Sequence, residues 1–176
     1  SKSTYDLQGR QITLTHDDET VTQYEYDQSG NVIFESLLDS DNTILTTQRS
    51  YFDINNRLVI SIDARQGITE SVYDKDGNRI EERKYAEKAN ELGIDRDIDV
   101  LSTVLEKLTE SQNPQVSYHY FNNRNQETLR VDASGYVIAQ GYDDRGNVVE
   151  TIEYATSVEL STRPAQEVLE ALIQAG

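Results

Sequence analysis

Carboxylates are the side chains of this sequence with the clearest capacity for chemistry. Asp95, Asp97 and Asp99 alternate, and Glu106 stands at the twelfth position counted from Asp95, which is part of the ligand spacing of an EF-hand calcium loop. The sixth position, where such a loop has Gly, is Val100. Acidic residues at a helix start also stabilise the helix dipole, and this segment has helical spacing of apolar residues. A calcium site and a helix start are therefore the two alternatives.

Tyrosines form the second candidate site. Tyr24 and Tyr26 alternate in one segment and Tyr118 and Tyr120 in another, so each pair lies on one face of a predicted strand. Such pairs either pack against cross-strand neighbours or present an aromatic platform to a sugar. The second alternative predicts a carbohydrate-binding or cell-adhesion module.

The remaining chemistry points away from an enzyme. Neighbouring carboxylates such as Asp17 and Asp18 fall in predicted turns, whereas general acid–base catalysis needs a cleft that separates their pKa values. His16 and His119 are far apart, and no Ser/His/Asp order, Gly-rich phosphate loop or HExxH motif occurs. Without Cys there is no thiol nucleophile or thiolate metal site. We expect no catalytic residues and, calcium apart, no cofactor.

The composition disfavours two classes of binding partner. The formal net charge of −16 disfavours nucleic acid and anionic membrane surfaces. No apolar run reaches ~18 residues, so we expect no membrane insertion by this segment. The length of 176 residues corresponds to one domain-sized block, and a hydrophobic share of 36% suits a sheet with one packed and one solvated face.

A short phrase recurs along the chain and would position all of these residues. It consists of an aromatic residue, Asp, two variable residues, Gly or Asn, and a polar residue, with steps of 21, 26, 21, 48 and 21 from one aromatic position to the next. Asp followed three positions later by Gly is typical of a type I turn closed by a left-handed residue, which joins antiparallel strands with a bulge. Asn is the next-best left-handed residue. A degenerate copy spans 121–126, and the other turn-forming residues are Asp6, Gly9, Asp27, Gly30, Asp53, Asn56, Asp74, Gly77, Asp143 and Gly146.

Segments between the phrases alternate with period two, which predicts β-strands separated by further turns. In one of them Leu58, Ile60 and Ile62 share a face. The predicted fold is mainly β with helical insertions, built from antiparallel β-hairpin repeats that form a curved sheet or β-spiral. The third residue after the Gly or Asn is apolar in five of six copies and is expected to face the packed side: Ile12, Ile33, Val59, Ile80 and Val149.

A longer, 69-residue period superimposes 51–86 on 120–155. After each copy the alternation gives way to apolar positions spaced by three and four, which is typical of one helix face. This predicts a helix over 94–110 packed on the sheet, and a second helix with Thr162 as N-cap and Pro164 in its first turn. The first apolar stripe is Ile94, Ile98, Leu101, Val104, Leu105 and Leu108, and the second is Val168, Leu169, Leu172 and Ile173.

The predicted organisation is one continuous repeat domain. Repeat hairpins occupy 1–86, a helical insertion 87–115, further hairpins 116–155, and the start of a second helical insertion 156–176. A second 69-residue unit would extend past residue 176, so we expect the chain to be a piece of a longer polypeptide.

The Tyr-Asp-x-x-Gly-Arg/Asn phrase at 21-residue spacing resembles the YD repeat, also called the RHS repeat, over residues 5–86 and 120–155. That family includes large bacterial toxin-shell proteins and teneurin-type barrels, in which hairpins coil into a wall that encloses a toxic region or displays an adhesion surface. The resemblance implies a scaffolding segment of a shell or stalk in a large secreted or cell-surface bacterial protein. Its partners would be neighbouring repeats of the same parent chain, and a cell-surface glycan or protein receptor.

Overall fold

Antiparallel hairpins make up most of the chain. The computed structural model describes residues 1–95, 99–111, 113–160 and 162–175. Twelve strands follow one another in a sheet in chain order. They are β1 (Lys2–Tyr5), β2 (Gln11–Thr15), β3 (Val21–Tyr26), β4 (Val32–Leu38), β5 (Ile44–Phe52), β6 (Leu58–Ile62), β7 (Ile68–Tyr73), β8 (Arg79–Lys84), β9 (Gln115–Phe121), β10 (Glu127–Val131), β11 (Tyr136–Tyr142) and β12 (Val148–Ser157), with the helices α1 (Leu101–Leu108) and α2 (Gln166–Ala175).

This architecture confirms the predicted fold class, which is mainly β with antiparallel hairpin repeats and helical insertions. The type I turn of each phrase is called a corner below. The register slips at the aromatic residue that precedes a corner, for example between Glu25 and Tyr26 and between Tyr51 and Phe52. Such a slip is the bulge that a type I turn followed by a left-handed residue requires.

Two compact units share the chain, and the first consists of residues 1–70 and 85–113. Its core joins strands β6 and β7 to the insertion that follows β8. Ile60 and Val104 are fully buried in this core, where strand and helix side chains meet. The complete cluster is Ile60, Ile62, Ile68, Ala89, Ile94, Val104 and Leu108.

The second unit consists of residues 71–84 and 114–176. Its core forms where strands β9 to β11 meet α2, and Leu169 of that helix is fully buried. The complete cluster is Tyr118, Tyr120, Leu129, Val131, Val137 and Leu169. Both units therefore follow one plan, in which a helix supplies the apolar cover that a lone hairpin lacks.

Both helices are shorter than predicted. The helix expected over 94–110 begins at Leu101, because Val100 has an extended backbone (φ −90°, ψ 168°) and the Asp95 N–H donates to the Asp99 carboxylate. Ile94 is buried without being helical, and Ile98 lies outside the described residues.

The second helix begins two residues after Pro164, so the predicted N-cap role of Thr162 is wrong. The Ala165 carbonyl accepts the first helical N–H groups, from Val168 and Leu169. Pro164 lies in the approach to the helix and not in its first turn.

The positions expected to face the packed side are buried to different degrees. Four are half-buried, and one of these, Val59, packs against the core of the first unit: Ile12, Ile33, Val59 and Ile80. Val149 is 66% exposed and Val59 only half-buried, whereas the fourth residue after the left-handed Asn is buried in both units, as Ile60 and Leu129. The helices cover that face.

Candidate functional site

Each corner is closed by the side chain of its second residue. The Asp53 Oδ1 atom accepts the N–H groups of Asn55 and Arg57, both at 2.9 Å, and Asn56 has a φ of +58°. The Asp6, Asp74 and Asp143 corners repeat this pair of bonds, and Asp27 accepts the Asn31 N–H. The left-handed residues are Gly9, Gly30, Asn56, Gly77, Asn125 and Gly146, with φ from +58° to +90°.

The polar sixth residue of the phrase binds the same carboxylate. Arg57 pairs with Asp53 at 2.7 Å, Arg10 pairs with Asp6 at 2.7 Å, and Asn147 donates to Asp143 at 2.9 Å. In each corner the carboxylate is thus engaged on both oxygens by its own turn.

Neighbouring corners are also linked to each other. Asn31 donates to the Asn56 side chain at 3.1 Å within the first unit. Asn78 donates to the Asn125 side chain at the same distance within the second. These contacts give the sixth position a second role, which sequence reasoning missed.

The tyrosine of the phrase has a structural role that the sequence analysis also missed. The Tyr26 hydroxyl donates to the Gln11 carbonyl at 2.6 Å, and the Tyr142 hydroxyl to the Glu127 carbonyl at 2.7 Å. Each acceptor lies 15 residues upstream, two residues past the left-handed residue of the preceding corner. The constant spacing from Tyr to the preceding left-handed residue was the signal for this bond.

The corner carboxylates stay ionised. Partial burial acts to raise the pKa of Asp53, but hydrogen bonds from the Arg57 backbone and side chain and from the Asn55 backbone outweigh it, so the pKa lies below its usual value of 3.8. The hydrogen bond from the Asn147 side chain is the main cause of the lowered pKa of Asp143. The pKa values of Asp6, Asp27 and Asp74 are lowered in the same sense. A general acid needs the opposite shift.

These lowered pKa values predict acid sensitivity. A carboxyl group whose folded pKa lies below its unfolded one stabilises the fold above the unfolded pKa, and that contribution is lost as the pH falls through the folded value. We expect the melting temperature to fall as the pH drops below about 4. Asp53→Asn, which keeps the side-chain acceptor but does not titrate, should cost stability near pH 7 and differ less from wild type as the pH falls. A wild-type-to-variant difference that is independent of pH would contradict this assignment.

The predicted calcium ligands are not assembled among the described residues. Asp99 is held by Lys107 and by the Asp95 N–H, and the hydrogen bond from Lys107 is the main cause of its lowered pKa. Asp97 lies outside the described residues. In the described parts of the chain no group of three or more His, Asp or Glu side chains is arranged to hold a metal ion. Calcium at Asp95, Asp99 and Glu106 stays a prediction.

The tyrosine pairs occupy different environments. Tyr118 and Tyr120 are each 6% exposed, and the Arg163 guanidinium lies over them at 5.5 and 4.3 Å from their ring centroids. These contacts pack both rings inside the second unit, and a sugar platform at the four tyrosines stays a prediction. Tyr24 and Tyr26 are half-buried, and Arg10 lies 4.5 Å from the Tyr26 centroid.

Tyr51 and Tyr120 are equivalent by the 69-residue period but differ in one bond. The Tyr120 hydroxyl donates to the Pro164 carbonyl at 2.6 Å. The buried Tyr51 hydroxyl makes no hydrogen bond of good geometry within the described residues, and the Arg49 side chain lies near enough to oppose the effect of burial on its pKa. Burial raises the pKa of both phenols.

The single variants Tyr120→Phe and Tyr51→Phe should therefore differ in stability. Tyr120→Phe removes a hydrogen bond and leaves a carbonyl unsatisfied, so it should cost about 1–2 kcal/mol of unfolding free energy. Tyr51→Phe removes a buried hydroxyl that makes no hydrogen bond of good geometry among the described residues, so it should be close to neutral. Urea unfolding measures both. Equal costs for the two variants would show that Tyr51 is hydrogen-bonded.

One arginine attaches each insertion to the strands of its own unit. Arg49 of β5 donates to the Ile94 carbonyl at 3.3 Å and to the Gln66 side chain at 2.7 Å. In the second unit the direction is reversed, since Arg163 of the insertion donates to the Ile80 and His119 carbonyls of β8 and β9 at 2.6 and 2.7 Å.

The histidines also have local roles. The ring of His119, which is 8% exposed, contacts the Glu127 carboxylate at 2.5 Å, and the His16 ring contacts the Thr22 hydroxyl at 2.8 Å.

Polar clefts flank the degenerate corner at 121–126. One of about 390 Å³ extends from Asn123 to Tyr142, and one of about 300 Å³ lies between this corner and Asp74. Their volumes are at the lower end of ligand pockets. In the first unit a cleft of about 270 Å³ runs from Tyr51 to Leu101.

Solved structures share this arrangement of strands. A crystal structure of TcdB2-TccC3 matches 89% of the chain with a TM-score of 0.63 and 12% identity. TcdB2-TccC3 without its hypervariable C-terminal region matches 86% with a TM-score of 0.62 and 13% identity. The Tc holotoxin pore of Photorhabdus luminescens with a substituted TccC3 matches 86% with a TM-score of 0.60 and 14% identity. The chain has the fold of part of a Tc toxin complex.

The similarity is confined to fold and to a small part of those proteins. The chain spans 8% of the length of each matched toxin chain in the TcdB2-TccC3 structures. No family model and no curated protein matches the sequence. Among the described residues no helix has the length and apolar character needed to cross a membrane.

Proposed function

We propose that this chain is a scaffolding segment of a β-repeat shell or stalk in a large secreted or cell-surface bacterial protein of the toxin-enclosing kind. The observation that carries the proposal is the hydrogen bonding of the residues that recur in the phrases. Corner carboxylates, sixth-position Arg or Asn side chains and the Tyr26 and Tyr142 hydroxyls bind the backbone or one another within the repeats. A structural wall needs polar side chains that hydrogen-bond within the protein, whereas a catalytic site needs side chains that remain available to a substrate.

The fold similarity supports the same proposal. Tc toxin structures match 86–89% of the chain at TM-scores of 0.60–0.63. In the proposal the neighbours of this segment are further repeats of the same polypeptide, which would pair with its terminal strands. Edge strands present unpaired N–H and C=O groups that such repeats would satisfy. No catalytic role is assigned to the chain.

Electron cryomicroscopy of the natural polypeptide in which this chain occurs tests the proposal. We expect the chain to appear as consecutive strands of a wall, with strand ladders continuing beyond β1 and β12. A separate appendage without continuing ladders would overturn the scaffold assignment. So would a natural polypeptide that ends near the limits of this chain.

A further inference from the structure

The cleft of about 390 Å³ beside the degenerate corner of the second unit differs from its surroundings in its supply of amides. Asn122 and Gln126 replace the acidic residue and the Arg or Asn of the other corners. Asn123 and Gln140, the latter from β11, add two further amides. In the preceding 69-residue unit the positions equivalent to Gln126 and Gln140 hold Arg57 and Ser71, so the amide lining is particular to this repeat.

Among the described residues, two of these amides use only one of their side-chain polar atoms. Gln126 accepts from the Asn122 side chain at 2.9 Å, and Gln140 contacts the Tyr142 hydroxyl at 3.0 Å. The other polar atom of each half-buried amide has no partner within the described residues. These remaining amide atoms are open to hydrogen bonds from water or from a ligand.

The charges around the cleft select against ions. Arg124 and Asp144 line it with opposite charges, so a bound cation meets an arginine and a bound anion meets a carboxylate. The Asp143 carboxylate is engaged by the Arg145 and Asn147 N–H groups and by the Asn147 side chain. The ligand that fits is neutral and rich in groups that both donate and accept hydrogen bonds.

We propose that this cleft binds a neutral saccharide residue. Sugar hydroxyl oxygens accept hydrogen bonds, so they satisfy the Nε2 groups of Gln126 and Gln140 that these contacts leave over. The ring of Tyr142, which also lines the cleft, supplies an apolar surface for the C–H face of a pyranose. This site is distinct from the four tyrosines considered from the sequence and goes beyond the scaffold function, which can hold without it.

Proton–nitrogen correlation NMR of the labelled chain tests the site, with methyl glucoside, methyl galactoside and N-acetylglucosamine as probes. We expect at least one probe to shift the amide signals of residues 122–128 and 140–144. Gln140→Leu should weaken that binding about tenfold, since one hydrogen bond is lost. Gln48→Leu, the same change at an exposed position of β5, should leave the affinity unchanged.

A second variant tests whether a loss of binding could come from misfolding. Asn122→Asp with Gln126→Arg restores the pairing seen between Asp53 and Arg57, so it should keep the fold while removing one ligand-binding amide. It should also weaken binding. Absence of shifts with every probe would overturn the proposal, as would shifts confined to other residues or undiminished binding by both cleft variants.

Discussion

Gly135→Ala is expected to destabilise the second unit by about 4 kcal/mol, among the largest effects of any single substitution in this chain. Gly135 has a φ of +87°, and a Cβ atom placed on it would lie 2.2 Å from the Val158 carbonyl oxygen and 3.2 Å from the Val158 nitrogen. Both contacts are with backbone, which cannot rotate away as a side chain can. The Val158 N–H donates to the Gly135 carbonyl at 2.9 Å, so relieving the clash would also break this bond.

Gly77→Ala is the matched control. Gly77 has nearly the same φ, +89°, and nothing lies within 4 Å of a Cβ atom placed on it. That variant should therefore lose only about 1 kcal/mol, the cost of a left-handed conformation for a residue with a side chain. Thermal or urea unfolding compares the two. A Gly135→Ala variant no less stable than Gly77→Ala would show that the segment around Val158 does not pack against this turn.

The corners were predictable because their physics is local. Asp and Gly at the first and fourth positions determine the turn, the left-handed residue and the bulge without help from distant residues. Asn56 and Asn125 illustrate this, since both adopt φ +58° where other copies have Gly. The 21-residue spacing then places the strands in order, and the same chemistry in every copy makes the fold class readable from sequence.

Features that depend on packing were less accessible. The helical spacing of Leu101, Val104, Leu105 and Leu108 located α1, but its N-terminal limit depends on the Asp99 carboxylate accepting from Asp95, which spacing does not reveal. Similarly, packing decides which of Val59 and Ile60 is fully buried: Ile60 lies in the cluster with the α1 side chains, and Val59 packs against that cluster half-buried. In a strand with apolar residues on both faces, alternation alone leaves that choice open.

The amide-lined cleft could not have been predicted for a related reason. Gln126 and Gln140 belong to different parts of the repeat, and nothing in the sequence links them as a pair. They line one cleft because β10 and β11 pair with Leu129 opposite Ala139. The strand register therefore determines the surface beside this degenerate corner. In the sequence the corner is recognisable only as an imperfect repeat.

Arg163→Ala is expected to cost about 3 kcal/mol and to release the segment that carries α2. The guanidinium donates to the Ile80 and His119 carbonyls and lies over the Tyr120 ring. Its removal leaves two carbonyls without their donors and uncovers an aromatic surface. Relative to wild type, amide hydrogen exchange in the variant should accelerate more in α2 than in β10 and β11, because the strands keep their own backbone hydrogen bonds.

Two controls separate the guanidinium fork from its charge. Arg163→Lys keeps the cation but cannot reach both carbonyls from one nitrogen, so it should recover only part of the loss. Arg145→Ala removes an exposed arginine of the same unit and should change stability by no more than about 0.5 kcal/mol. If Arg163→Lys were as stable as wild type, charge alone would hold the insertion. The two-nitrogen contact is the stronger expectation, because two different nitrogens of Arg163 donate to the Ile80 and His119 carbonyls at 2.6 and 2.7 Å. Arg49 also uses two donors in the first unit, and one of them reaches the insertion at the Ile94 carbonyl.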